Sequence, residues 1–280
     1  MREISADRIA ECVKKLCIEA CCVLPNDVRD CICKGRQEET WAPAQEILDH
    51  IIDNYHIAEE NMVPICQDTG VACVFLQIGQ DLHITGNIEE AVNRGVAEGY
   101  TEGYLRKSVV VDPVFDRTNS GNNTPAMIYY EMVPGDQLTV TVAPKGFGSE
   151  NMSQIKMLKP ADGLEGVKEF ILKVIEDAGP NPCPPVIVGV GIGGTFDKAA
   201  LMAKKALLRD LDQRNENPDY AALEQELLEA INAKGIGPQG FGGKTYALAV
   251  NINTFGTHIA GLPVAVNINC HVARHKTEVL

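Results

Sequence analysis

Ten cysteines stand among 280 residues, and three of them lie where a loop can present a thiol. Cys66 sits in VPICQDTG, Cys183 in NPCPP and Cys270 in NINCHVAR. Each falls at a junction between expected elements, beside special backbone: Pro64 and Gly70, Pro182 to Pro185, and a polar run. A thiolate is both a nucleophile and a metal ligand. CQDTG adds an amide, a carboxylate and a hydroxyl directly after the first thiol. Cys12, Cys17, Cys21, Cys22, Cys31 and Cys33 crowd the first 35 residues, and their spacings do not repeat CxxC. Cys17 and Cys21 share a helical face, so a metal pair is one reading. Small buried apolar residues is the other, and the one favoured here. Cys73, inside an expected strand, reads the same way.

Other polar residues carry less on their own. Asp68 alone reads as a turn-forming aspartate, Arg106 as a solvated helix end and His258 as a core histidine. The Gly146–Gly148 loop, with Ser149 after it and Lys145 before it, offers backbone N–H groups to a carboxylate. His271 and His275 flank Cys270 in supporting or surface roles. GVGIGG at 189–194 satisfies GxGxxG, with a strand before it and a helix after it. The acid expected twenty residues on would be Asp210 or Asp212, but Asp210 falls at a helix end. Nucleotide binding through Gly189–Gly194 is therefore kept only as an alternative from another class. Close backbone packing, or a helix N-terminus facing an anion, explains the glycines more simply, and the second is preferred.

The elements that must position these groups follow from composition and pattern. The length fits two domains or one large one. Apolar residues make up 45% and charged residues 22%, which is globular composition. No apolar run approaches the length of a membrane span, and MREISADRIAECVKKLC does not read as a signal peptide. Ten thiols without an export signal suit a reducing, cytoplasmic setting. The formal charge of −13 repels nucleic acid and anionic lipid. An anionic substrate then needs a local cationic pocket.

A first helix is expected after a Ser5 cap, with Ile9, Val13, Leu16, Cys17 and Ala20 at helical spacing and Pro25 ending it; others are expected from Asp27 to Lys34 with a stop at Gly35, and from about Pro43 to Tyr55. Residues 1–60 thus form a helical N-terminal layer. Strands are expected at VACVFLQIG, at 108–111, 126–131 and 137–144, at PPVIVGV, and at TYALAVNI and PVAVNIN. Helices are expected over 87–106, 163–178, 195–209 and 221–233. A polar loop, DPVFDRTNSGNNTPA, separates two of the strands, and GIGPQGFGG makes a glycine-rich turn. The order points to a mixed α/β (α+β) fold without simple double winding, arranged as one domain over 1–280.

Taken together, PICQDTG, LRKSVVVDP, APKGFGSENMS, NPCPP…GVGIGGT and GTHIAGLPVAVNINCH resemble the α subunit of class I, iron–sulfur fumarate hydratases. The L-tartrate dehydratase α subunit shares the pattern, and the likeness spans nearly the whole chain. The resemblance implies a [4Fe–4S] cluster on Cys66, Cys183 and Cys270. Three thiolates leave one iron open to act as a Lewis acid on a 2-hydroxy dicarboxylate. It implies substrate contacts from Gln67, Asp68, Arg106, Gly148 and His258, with Asp68 and His258 closest to the chemistry. The six N-terminal cysteines match no ligand position. In that family the remaining cationic groups and the proton-abstracting residue belong to a β region. The expectation is therefore an α subunit whose site is completed by a β subunit, in a hetero-oligomer with two or more α subunits. Its expected reaction is reversible hydration of fumarate to (S)-malate, with dehydration of L-tartrate to oxaloacetate as the runner-up.

Overall fold

The computed structural model describes residues 2–280. It is a mixed α/β chain in which strands and helices interleave. Two compact units share it: 1–24, 55–147 and 274–280 form the first, and 25–54 with 148–273 form the second.

In the first unit, β1 (Arg2–Ser5) leads into α1 (Ala6–Cys22), whose Ser5 cap accepts a hydrogen bond from the Arg8 N–H at 3.3 Å. The expected stripe of Ile9, Val13, Leu16, Cys17 and Ala20 is buried. Next in chain order come α2 (Asn26–Glu38) and α3 (Ala42–Asn61), of which α2 and most of α3 belong to the second unit. Then follow β2 (Val71–Gly79), β3 (Leu82–Thr85), α4 (Ile88–Glu102), β4 (Met127–Val133) and β5 (Leu138–Lys145). The sheet runs β10-β5-β2-β4, where β10 is Lys276–Val279. β2 is its buried centre, parallel to β4 and antiparallel to β5. Its inner residues Val74 and Leu76 pack with Val140 and Val142 against the apolar faces of α1 and α4. β1 and β3 pair as a separate parallel ribbon.

The second unit continues with α5 (Phe147–Glu150), which straddles the division, then β6 (Gln154–Leu158), α6 (Gly163–Ala178), β7 (Val186–Gly193) and α7 (Phe196–Ala206). α8 (Pro218–Asn232), β8 (Ala247–Phe255) and β9 (Leu262–Asn269) complete it. The sheet order is β6-β9-β7-β8. β7 is buried at every position, and its core partners include Ile171, Val174, Leu227, Val250 and Val266.

Four local expectations change. The second helix does not stop at Gly35: it runs to Glu38, because Gly35 lies against Thr245, whose methyl carbon would sit 2.7 Å from a Cβ there. Residues 108–111 form no strand, only a bridge from Val110 to Asn119. GVGIG is strand, not turn. A Cβ at Gly189 would meet the Ala203 carbonyl oxygen at 2.2 Å, and one at Gly191 the Ala199 carbonyl oxygen at 2.1 Å. Those glycines let α7 lie directly on β7, which is the packing role rather than the preferred anion role. Finally, β1, β3, β6 and β10 are short strands with four or five residues each, too short for an alternating pattern to stand out. No described helix is long and apolar enough to cross a membrane.

Candidate functional site

In the first unit the candidate residues gather around the loop from α3 to β2. Ile65 is buried and its N–H donates to the Cys21 carbonyl at 3.0 Å. That contact turns the half-buried Cys66 and the exposed Gln67 outward. Asp68 is locked by two backbone donors: Gly70 N–H reaches Oδ1 at 3.0 Å, and Phe147 N–H reaches Oδ2 at 2.9 Å. Arg274, itself buried, donates to the Asp68 carbonyl. Thr69 is the hinge of the arrangement. Its hydroxyl accepts from the Arg106 N–H at 2.9 Å and donates to the Arg106 carbonyl at 3.2 Å. The backbone of the YLRKS segment is therefore clamped to CQDTG, and the Arg106 side chain is left exposed.

Two buried side chains brace this clamp from behind. Tyr100 donates its hydroxyl to the Thr69 carbonyl at 2.8 Å, and burial pushes its phenol well above its usual range, so it serves as a neutral donor. Asn123 gives its amide hydrogen to the Gly70 carbonyl at 3.1 Å and accepts from Ser108 N–H at 2.7 Å. Its left-handed backbone, φ 62°, is one that asparagine tolerates. The long polar loop thus has a structural purpose: it returns one buried asparagine to the site.

In the second unit, Cys183 and Cys270 lie at one end of the sheet. Cys183 precedes β7 and Cys270 follows β9, and Ile187 pairs with Asn269 across the two strands. His271 links them directly: its ring Nδ1 lies 3.0 Å from the Cys183 carbonyl oxygen and its N–H 3.5 Å from the same atom. Cys183 is exposed and Cys270 half-buried. Gly148 is at this end too, since a Cβ there would meet the Asn181 carbonyl oxygen at 3.7 Å. His258 is not. It sits in the turn from β8 to β9, tied to Gly194 by Thr257 Oγ1 at 2.9 Å. Val186–Gly193 spans about 23 Å at the usual rise per strand residue. Within one chain His258 is thus at the opposite end of β7 from the cysteine pair.

The remaining cysteines have another character. Cys12, Cys17, Cys21, Cys22 and Cys73 are buried, whereas Cys31 and Cys33, expected to be buried as well, are half-buried on α2 because they lie off its packed face of Val28, Ile32 and Gly35. Burial pushes the Cys12 thiol up to about 12 and the Cys21 thiol up to about 11. Such thiols resist the deprotonation that ligation requires. Only Cys66, Cys183 and Cys270 are carried on loops between elements. Among the described residues no three His, Cys, Asp or Glu side chains converge as a single-ion site. A four-iron cluster takes one thiolate per iron, so its ligands need not converge on one point. Thiols carried on loops are the donor type such a cluster takes.

The first unit thus carries an exposed arginine on clamped backbone beside a fixed carboxylate, and the second carries a pair of loop thiols. The chain belongs to the family described as fumarate hydratase (fumerase), whose model matches residues 10–279. It is a hydro-lyase α subunit of the fumarate hydratase and tartrate dehydratase type. A Methanocaldococcus jannaschii protein provisionally named L(+)-tartrate dehydratase subunit alpha is 44% identical over 272 residues, 95% of each chain. L(+)-tartrate dehydratase subunit alpha of Escherichia coli strain UTI89 is 34% identical over 258 residues, 91% of this chain and 84% of the other. The subunit of strain K12 is 33% identical over the same span.

Sequence reasoning missed Thr69, Asn123, Tyr100 and Arg274. Thr69 was visible inside CQDTG as a hydroxyl. Nothing local in the sequence says that this hydroxyl faces residue 106.

Proposed function

We propose that the chain is the α subunit of a [4Fe–4S]-dependent hydro-lyase that hydrates fumarate reversibly to (S)-malate. The whole of 1–280 works as one catalytic α unit in a reducing, cytoplasmic setting. The observation that supports this reading is the sorting of the ten cysteines: three on loops, and seven within helices or a strand, where burial holds the thiols of Cys12, Cys17, Cys21, Cys22 and Cys31 protonated. Cys66, Cys183 and Cys270 would hold the cluster. When bound, it supplies an iron without a protein ligand as a Lewis acid for the substrate hydroxyl and one carboxylate.

The protein's own residues do the rest. Arg106 pairs with a substrate carboxylate, and a bidentate guanidinium fixes a planar partner in orientation as well as charge. It also answers the electrostatic problem set by a net charge of −13. The Gln67 amide and the Gly148 backbone orient the other polar groups. Asp68 keeps the loop in register through Gly70 and Phe147, and each of its oxygens retains a lone pair for substrate or a transferring proton. His258 contacts the substrate of a second copy of the chain, because its own β7 holds it far from its own cysteine pair. This use agrees with an assembly containing at least two α subunits. A β subunit supplies the further cations and the proton-abstracting group. The relatives' name, subunit alpha, supports such a partner.

L-tartrate is the second reading, favoured by the names of these relatives. Both are tested on one preparation: the chain co-expressed with its β subunit, purified without oxygen, and offered fumarate, (S)-malate and L-tartrate in turn. Fumarate and malate interconversion with no oxaloacetate from tartrate supports the first reading. Oxaloacetate from tartrate with negligible fumarate turnover supports the second. Turnover of none of the three, in protein with full iron content, overturns both.

A further inference from the structure

The glycine-bearing segment 235–243 takes no part in the reading above. Its construction gives it one. The segment closes on itself: Gly242 N–H donates to the Ile236 carbonyl at 2.8 Å, and a Cβ at Gly237 would lie 1.8 Å from the Gly242 carbonyl oxygen. Glu39 pins its far end. This buried carboxylate accepts the N–H groups of Lys244 at 2.7 Å and Thr245 at 3.3 Å, along with those of Thr40 and Trp41.

Gln239 stands at the tip of the closed segment in left-handed backbone, φ 52°. Its N–H donates to the Pro184 carbonyl at 2.9 Å, and its side-chain amide donates to the same oxygen at 2.6 Å. Cys183, one residue earlier, is also left-handed, φ 56°. A residue with a side chain rarely holds that conformation unless its surroundings impose it. Here the surroundings are specific. His271 takes the Cys183 carbonyl and Gln239 takes the Pro184 carbonyl. The Gln239 amide nitrogen and the His271 ring nitrogen lie 3.4 Å apart, so the two side chains act side by side on successive carbonyls.

We propose that Gln239 is a positioning residue for Cys183: the glycine segment exists to present its amide to Pro184, which fixes the left-handed turn that aims the thiol. The proposal rests on Cys183 being a cluster ligand, and its test separates the two claims. The variants are Gln239→Ala, Gln239→Glu and Gln239→Lys in the full chain co-purified with its β subunit. The first readout needs no cluster: after chelation of metal, the rate of iodoacetamide labelling at Cys183 is divided by that at Cys270 in the same molecules. Loss of one short hydrogen bond should raise this ratio about tenfold in Gln239→Ala and Gln239→Glu. Gln239→Lys restores an N–H donor and should return the ratio toward wild type. The second readout is iron release to a chelator, which should quicken in the same order. The thermal midpoint should hold, because the Gln239 N–H and Glu39 still anchor the segment.

A labelling ratio within about twofold of wild type in both Gln239→Ala and Gln239→Glu overturns the proposal, whatever the iron does. Wild-type iron in Cys183→Ser instead overturns the ligand assignment. The labelling ratio still decides whether Gln239 positions the thiol.

Discussion

Replacing Thr69 by valine keeps the shape of the side chain and removes its hydroxyl. The hydroxyl makes two bonds to one residue, accepting from Arg106 N–H at 2.9 Å and donating to its carbonyl at 3.2 Å. Thr69 is 1% exposed, so no water replaces the hydroxyl from its own side. A buried polar group stripped of its partner costs about 1–3 kcal/mol. Two such groups, partly open toward Arg106, give an expected loss of about 2–4 kcal/mol. Thr69→Ser keeps both bonds and loses one buried methyl, about 1 kcal/mol. Urea unfolding measures both. The two variants should also separate in function. Thr69→Val releases the backbone that carries Arg106, so KM for the dicarboxylate should rise about tenfold or more, while Thr69→Ser stays near wild type. Equal stability and equal KM for the two variants would refute the clamp, because then the hydroxyl contributes nothing that its shape does not.

Other consequences are as direct. Gly191→Ala places a methyl 2.1 Å from the Ala199 carbonyl oxygen, so α7 must lift from β7. A loss of about 3 kcal/mol in stability is expected, and NAD titration should show no binding to the wild type; tight NAD binding would restore the nucleotide reading. Burial alone would raise the Glu39 carboxyl, but four backbone donors outweigh it and hold it below the usual range. Its stabilising effect is therefore complete above about pH 4.3 and fades as pH falls below that value. Glu39→Gln should lower the unfolding midpoint at pH 7 and flatten its decline between pH 5 and 3; an unchanged acid limb would count against this. Cys12, Cys17 and Cys21 should resist alkylation at pH 8 in the native chain while Cys183 reacts, because burial holds the first three thiols protonated; mass mapping of the labelled sites decides it.

The parts of the fold that were legible in the sequence are those where a local pattern has a single outcome. The helical stripe of α1 and its Ser5 cap, the largely apolar run of β2 and the span of α6 could be read from local pattern alone. So could the separation of loop cysteines from buried ones, since Pro and Gly mark loops. What escaped depends on partners distant in the chain. Gly35 reads as a helix stop until Thr245 is placed against it, and GVGIGG reads as a helix N-terminus facing an anion until α7 lies on Gly189 and Gly191. Thr69 meets a residue 37 positions away. Short strands such as β3 and β10 are defined by the strand beside them, not by their own four residues. The place of His258 is of the same kind. The sequence sets it twelve residues before Cys270, yet β9 carries the intervening chain along its full length.

The cluster is the claim on which the rest depends. Iron and acid-labile sulfide should be counted in the chain co-expressed with the proposed β subunit and purified without oxygen, beside a Cys66→Ser, Cys183→Ser, Cys270→Ser triple variant. About four of each per wild-type chain, and almost none in the triple variant, is the predicted result. A folded, assembled wild type with no iron, or a triple variant that keeps it, would contradict the account.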